Sequence, residues 1–381
     1  MRRHFKRYIG IDIHKKTATW VAMDEEKKLL GEGKLPMAGL KGWAQKNLTQ
    51  EDRVVIEATG NSHHVYGFLA VHAGEVLMAD PLAMHDRTKS KRKTDRVDAA
   101  ALAEALASDY VQKVWVPDEV TWERREWASH RHALSKQLTV VKNQLRAMLY
   151  RHGLEYKGDH ILDEEAVEYA QKSSLSELVQ GLFRSQWRIG RALEQEIQQL
   201  DRELSSLTLK EEENLRLMTL PGVGPQAALI IRSAVGDVSR FSSSKKLASY
   251  AGLVPRVSKS DETVYYGSIT KHGRSLLRWI MVEAANAGVL TPGPLKDRYH
   301  RFRRKGKTHQ EAVVGVARHM LELVWHMLTK KQVFRYASAN YLVTKMRGVL
   351  RDAHGRCPQK GATTLAKTLM GWKACPATSL G

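Results

Sequence analysis

The sequence predicts an α/β N-terminal part joined to a longer α-helical remainder, and three observations carry that expectation. Short apolar runs of period two alternate with helical runs up to about Pro117. Apolar residues then recur at spacings of three and four from Leu134 onwards. Beyond Leu215 the helical text is broken repeatedly by Gly and Pro. These changes of pattern divide the 381 residues into 1–118, 119–214, 215–336 and 337–381.

In the first zone Ile9, Ile11 and Ile13 alternate with Gly10, Asp12 and His14, which predicts a strand over Tyr8–His14. Thr17–Met23 and Lys28–Leu35 extend it to a three-stranded meander. Arg53–Thr59 is a compact Val-Val-Ile strand, Ser62 to Ala73 a helix stopped by Gly74, and Glu75–Pro81 a further strand. In the second zone Leu134, Leu138, Val141, Leu145 and Met148 form one apolar stripe, and Leu175 to Leu207 forms another. The polar connector between them predicts a long helical, coiled-coil-like hairpin, closed within one chain or between two. Trp122, Trp127 and Trp187 fall at helical core positions, and His63 and His64 read as structural. From 337 the text is polar, basic and weakly periodic, which reads as a tail.

Composition narrows the function. Lys and Arg number 61 against 41 Asp and Glu, a net charge of +20 on a chain that is 43% apolar. A folded chain with that excess is built to meet a polyanion, and nucleic acid is the first expectation. No apolar run is long enough to span a bilayer, and a strand-like segment rather than an apolar block follows the basic start. Cys357 and Cys375 are too few for a disulfide framework or a four-ligand zinc site. The expectation is a cytoplasmic, nucleoid-associated protein with no membrane partner.

Four carboxylates sit where metal chemistry needs them. Asp12 lies inside the first strand, and Glu57 ends the Val54-Val55-Ile56 strand. Asp95 and Asp98 stand at i and i+3 at the start of an Ala-rich helix, and so share a face. Carboxylates converging from two strands and a helix can hold hard divalent ions that bind phosphate oxygens. The basic run before them holds six Lys or Arg among residues 87–96. Of these, Arg87, Lys89, Lys91, Arg92 and Lys93 are candidates for phosphate-backbone contact.

The motifs Gly10-Ile11-Asp12-Ile13-His14-Lys15, Ile56-Glu57-Ala58-Thr59-Gly60 and Lys93-Thr94-Asp95-Arg96-Val97-Asp98-Ala99 resemble the DEDD signature of Piv/MooV-type insertion-sequence transposases, the IS110 group. The resemblance continues through Leu220-Pro221-Gly222-Val223-Gly224-Pro225, Tyr250-Ala251-Gly252-Leu253-Val254-Pro255-Arg256 and Gly267-Ser268-Ile269-Thr270-Lys271-His272-Gly273, about 300 residues in the family's order. It implies a ribonuclease-H/RuvC-like N-terminal domain and a mainly α-helical C-terminal transposase domain. It further implies a DNA recombinase guided by a structured bridge RNA, acting on donor and target double-stranded DNA as homodimers paired into a homotetramer. Asp12, Glu57, Asp95 and Asp98 would hold Mg²⁺, near a nucleophilic serine from another subunit. The family's serine lies five residues after the proline and before a glycine. That count from Pro255 reaches Ser260, but Asp261 stands in the glycine's place, so Ser258 stays open as a second candidate.

Three further features fit nucleic acid. Pro221-Gly222-Val223-Gly224 has the look of a helix-hairpin-helix loop, in which Gly222 and Gly224 would let backbone N–H groups approach a phosphate. Between Pro255 and Gly267 the serines lie in a stretch that reads as a polar loop, in which Arg256 and Lys259, with Lys271 beyond it, can stabilise charge on a phosphoryl group. Residues 296–307 carry seven basic residues, among them Arg301, Arg303, Arg304 and Lys305, interleaved with Tyr299 and Phe302, a pattern suited to unpaired bases. Two other readings stand beside recombination through a phosphoserine: a metal-only nuclease or resolvase of ribonuclease-H type, and a non-enzymatic nucleic-acid-binding scaffold.

Overall fold

The computed structural model describes residues 4–81, 94–260, 263–354 and 359–371. The chain divides into two compact units, Met1–Pro117 and Asp118–Gly381.

The first unit is a five-stranded mixed sheet. β1 (Arg7–Ile13), β2 (Thr17–Met23) and β3 (Leu29–Pro36) form the antiparallel meander. β4 (Asp52–Glu57) and β5 (Glu75–Ala79) add in parallel on the other side of β1, giving the order β3-β2-β1-β4-β5. Alternation assigns the two faces of β1. Ile9, Ile11 and Ile13 pack with Val54 and Ile56 against α1 (Leu40–Asn47) and α2 (Ser62–His72) through Leu40, Ala44, Val65 and Leu69. The opposite face, with Tyr8, Val55 and Leu77, receives Leu102 and Leu106 of α3 (Asp95–Ala107). Val21 and Met23 of β2 meet Ala99 and Ala103 of the same helix.

One residue sets how closely α3 lies on the sheet. A Cβ added at Gly10 would come within 2.2 Å of Ala99 O and 2.5 Å of Ala103 N, so helix backbone rests directly on strand backbone. Only a residue without a side chain permits that approach.

The second unit begins with two 33-residue helices, α4 (Glu119–Arg151) and α6 (Glu177–Leu209). Asp118 and Ser176 cap them by accepting from Thr121 N and Val179 N. Arg131 pairs with Asp201 at 2.7 Å and Lys142 with Glu194 at 3.3 Å, so the helices run in opposite directions. Between them the connector is not a bare loop. It carries α5 (Glu164–Lys172), and Ile161, Leu162, Ala166 and Ala170 fill a core with Val141, Leu145, Leu149 and Phe183. Part of the apolar stripe is left over: Leu178, Leu182 and Ile189 are exposed on α6.

The rest of the unit packs around α12 (His309–Thr329), whose Val316, Ala317, Met320, Leu321, Val324 and Met327 are fully buried. Around it lie α7 (Glu212–Met218), α8 (Pro225–Val235), α9 (Ser244–Tyr250), α10 (Ser275–Gly288) and α11 (Pro294–Arg304). Arg125 of α4 donates to the carbonyls of Ser233 and Ala234, and Arg240 to those of Ala234 and Val235, so two cations satisfy the last turn of α8. Burial pushes the Arg125 guanidinium down to about 10.

Two expectations are corrected here. The stretch from 337 is not a tail. It forms α13 (Ala339–His354) and α14 (Gln359–Gly371), whose Leu342, Met346, Val349, Ala362, Ala366 and Leu369 are buried in the same core. Its apolar positions are few but share one helical face, which basic residues between them obscure in a linear reading. The polar stretch after Pro255 is not a loop but a hairpin, β6 (Pro255–Ser260) with β7 (Thr263–Ile269). The β-branched and aromatic residues of Thr263-Val264-Tyr265-Tyr266 supply the partner strand.

Gly10→Ala is expected to loosen α3, at a cost of about 1–3 kcal/mol for overpacking a close contact. Hydrogen exchange should then accelerate in residues 95–107 and stay unchanged in α1 and α2. Unaltered exchange in α3 would show that the contact can relax around a methyl group.

Candidate metal centre and nucleic-acid surfaces

The parallel pairing of β1 with β4 brings the ends of both strands to one edge of the sheet. Asp12 is the penultimate residue of β1, one beyond the Ile11↔Ile56 pair, and Glu57 closes β4 beside it. Asp12 follows Gly10 in the alternation and Glu57 follows Val55, so both stand on the face that α3 covers. α3 starts above them, with Thr94 accepting from Val97 N as its cap and Asp95 and Asp98 in its first turn. The partial positive charge of a helix N-terminus favours carboxylates and other anions there.

The tight cluster at this edge is Asp12, His14 and Asp95, whose ligand atoms all lie within 4.8 Å of one another. His14 Nε2 is directed at Asp95 Oδ1, 3.2 Å away. It also passes 3.0 Å from Asp12 Oδ2, without the alignment of a hydrogen bond. Asp12 is only 6% exposed, and its Oδ2 is buried without a hydrogen-bond partner. Burial raises the Asp12 pKa above the ordinary carboxylate range; His14 opposes that shift, and the nearby charges of Asp98 and Asp95 add to it. Asp95 is drawn the other way, chiefly by Lys34, whose Nζ donates to Asp95 Oδ2 at 2.8 Å. A buried carboxylate oxygen with only the imidazole of His14 alongside it, among further carboxylates, fits a hard divalent cation. Asp98 is close enough to act on Asp12 electrostatically, and Glu57 is half-buried beside it, but neither belongs to the tight cluster. Sequence reasoning passed over His14 and Lys34. His14 was within reach of it, because residues i and i+2 of a strand share a face.

The remaining candidates are distributed over the second unit or lie outside the described residues. Arg87, Lys89, Lys91, Arg92 and Lys93 belong to the latter group. Ser258 and Ser260 lie on β6, with Ser260 paired to Thr263 next to the turn and Ser258 to Tyr265. Lys271 is exposed in the turn after β7, with φ of +57°, and its carbonyl accepts from Arg278. Arg301, Arg303, Arg304 and Lys305 are all exposed at the end of α11. Tyr299 and Phe302 do not stand among them as stacking platforms: both pack against the core, Phe302 over Gly315, and the Tyr299 hydroxyl meets His309 Nδ1 at 2.9 Å. In a helix of this amphipathic kind the aromatic residues share the buried stripe and the arginines the wet one.

The Pro221–Gly224 turn joins α7 to α8 and is closely held. Gly222 has φ of +82°, and an added Cβ would lie 1.9 Å from Ala284 O, so it permits backbone contact with α10. Its N–H donates to the hydroxyl of Tyr341 at 3.1 Å. Lys345 Nζ donates to the carbonyls of Met218, Leu220 and Val223 at 2.6, 3.1 and 3.1 Å. Burial pushes the Lys345 amine down to about 7. Gly224 faces open space at the start of α8. Of the two glycines read as phosphate-contacting, Gly222 is thus occupied by the fold itself.

Comparison with known proteins bears on the whole arrangement. Residues 9–153 match the DEDD transposase domain of the IS110 type, and residues 214–301 match the transposase IS116/IS110/IS902 family. The chain belongs to the IS110 transposase family. It is 26% identical over 350 residues to the transposase for insertion sequence element IS1111A of Coxiella burnetii, covering 88% of this chain and 93% of that one. It is 28% identical over 344 residues to the pilin gene-inverting protein of Moraxella bovis, covering 86% and 98%. Family membership implies DNA recombination or transposition activity. No helix among the described residues is long and apolar enough to cross a membrane.

Because burial raises the Asp12 pKa, its charge costs folding free energy at every pH above the ordinary aspartate value. Asp12→Asn removes that charge, so its melting temperature at pH 7 without divalent ions is expected to equal or exceed that of the wild type. A fall of several degrees would show that the carboxylate holds the fold together rather than waiting for a ligand.

Proposed function

We propose that the protein is an RNA-guided DNA recombinase of an insertion sequence that cuts and rejoins DNA through a phosphoserine. In this reading residues 1–118 act as a RuvC-like DEDD domain, 119–214 as a dimerisation region and 215–336 as the transposase domain, with α13 and α14 completing the last. The observation that carries it is the acidic edge under α3: Asp12 buried with an unsatisfied oxygen, against His14 and Asp95, with Asp98 and Glu57 adjacent.

Asp12, Glu57, Asp95 and Asp98 would hold Mg²⁺, which when bound supplies charge stabilisation for phosphoryl transfer. The chain's own residues do the rest. His14 holds Asp12 and Asp95 in one orientation, and the N-terminus of α3 favours the anionic strand at that edge. Ser260, the last residue of β6, would be the nucleophile. Its Oγ bonds to phosphorus as the sugar oxygen leaves with the proton, and the reverse step rejoins the strand to a new end. Arg256 and Lys271 would steady the charge on the phosphoryl oxygens. The site accords with the DNA inversion that the Moraxella bovis relative's name describes.

For the guide, the support is electrostatic. The net charge is +20, and Arg301, Arg303, Arg304 and Lys305 present an exposed basic surface on α11. Such a surface suits donor and target DNA and the phosphates of a structured RNA alike. The exposed Leu178, Leu182 and Ile189 on α6 support self-association into dimers and, from those, a tetramer.

Ser260→Ala is expected to eliminate the protease-sensitive protein–DNA adduct on end-labelled donor DNA while nucleic-acid binding persists. Ser258→Ala should keep the adduct, and Asp12→Asn should lose strand cleavage. Loss of the adduct in Ser258→Ala alone would move the nucleophile by two residues. Recombination by both serine variants would leave a metal-only nuclease or resolvase as the reading.

RNA that copurifies with the protein is expected to be one structured species, and ribonuclease treatment should stop recombination. Heterogeneous RNA, with recombination unaffected by ribonuclease, would remove the guide.

A further inference from the structure

The row of residues that contains Asp12 continues across the sheet. β1 meets β2 at Asp12↔Thr19, and β2 meets β3 at Thr19↔Lys34. Residues facing each other on adjacent strands project from the same face, so all three stand beneath the start of α3. Lys34 Nζ reaches over the row to Asp95 Oδ2 at 2.8 Å, while His14 Nε2 meets Oδ1 at 3.2 Å. Both oxygens of Asp95 are thus engaged by the chain's own donors. Thr19, Lys34 and Asp95 line an open cavity of about 550 Å³ together with Glu32, Gly33, Thr94 and Arg96, and Arg96 pairs with Glu32 at 2.7 Å. Thr19 is 5% exposed, and its Oγ1 is buried with no hydrogen-bond partner. The site therefore holds two unsatisfied buried oxygens on adjacent strands, one on Asp12 and one on Thr19.

We propose that Lys34 is a tethered cation of this centre: its ammonium stands beside Asp95 where a second divalent ion would bind, and the protein takes a single divalent ion, at Asp12. The inference rests on the metal reading of the Asp12 cluster and narrows it: Asp12, Glu57 and Asp98 would hold the ion, and Asp95 would serve it through Lys34 and His14 instead of as a ligand. Two-ion centres hold their ions about 3.5–4 Å apart and need carboxylates to offset the repulsion. Here one of the available carboxylates already carries an ammonium and an imidazole donor. A Mg²⁺ ion binds oxygen at about 2.0–2.1 Å and demands octahedral geometry, so it must expel Lys34 to use Asp95 Oδ2. Lys34 need not leave. An ammonium has three donors, of which Asp95 takes one, leaving two for a phosphate oxygen in the cavity. Lys34 is then a residue that meets the phosphate directly and spares the centre one metal ion.

The test is the number of Mn²⁺ ions bound by the full-length protein near neutral pH, measured by calorimetry and by the electron paramagnetic resonance of free Mn²⁺. The wild type is expected to bind one ion per chain at this centre. Lys34→Met should bind a second, or bind it at least about tenfold more tightly than the wild type does, since a neighbouring positive charge has gone. Lys34→Arg should keep the single ion. Two equally tight ions in the wild type, or an unchanged single ion in Lys34→Met, would overturn the proposal for Lys34 while leaving the metal centre standing. If Asp12→Asn binds as many ions as the wild type, the metal reading itself fails, and the role of Lys34 with it.

Discussion

The contact between Gly10 and the first turns of α3 is the constraint on which the acidic edge depends. Helix backbone lies on strand backbone there, with Ala99 O too close for any side chain at position 10. Two residues further along the strand stands Asp12, and within the turn that precedes Ala99 on the helix stand Asp95 and Asp98. The distance between carboxylates from different elements is therefore set by a missing methyl group. A larger residue would lift the helix and spread the charges that have to converge. The buried oxygen of Asp12 shows the other side of that arrangement: packing strong enough to hold a carboxylate with only the His14 imidazole alongside it. Stability is surrendered locally at a site whose ligand would restore it.

The sheet was legible in the sequence because its strands are short, β-branched and strictly alternating, as in Ile9-Gly10-Ile11-Asp12-Ile13. The carboxylates were legible for the same reason, each lying at a strand end or in the first turn of a helix. What the sequence did not disclose depends on pairing. Lys34 joins the acidic edge only because β3 registers against β2 and β2 against β1, and register is a property of three strands together. The helices after 337 were hidden by their own charge, since Lys345 and Arg347 interrupt a stripe that closes only when wound into a helix. Tyr299 and Phe302 misled in the opposite sense. They alternate with arginines along the chain and yet separate from them around the helix axis.

The second unit treats positive charge differently from the first. Arg125, Arg240 and Lys345 are engaged by backbone carbonyls: the last turn of α8 for the arginines, the turn before α8 for the lysine. Helix ends leave carbonyl groups that must be satisfied, and a cation does so while also meeting the negative end of the helix dipole. A carbonyl accepts a hydrogen bond without cancelling a unit charge. The two arginines held in this way keep contributing to the field of the whole molecule, so part of its positive charge also holds its core together.

Lys345 closes the turn at 219–224 from 122 to 127 residues away along the chain. At a synthesis rate of about 5–20 residues per second, that separation amounts to on the order of ten seconds between making the turn and making its plug. During that interval three carbonyls and the Gly222 N–H can turn only to water or to whatever else is at hand. The turn that most resembles a local sequence motif is thus among the least local features of the fold. It reaches its final form only after α13 has left the ribosome and docked.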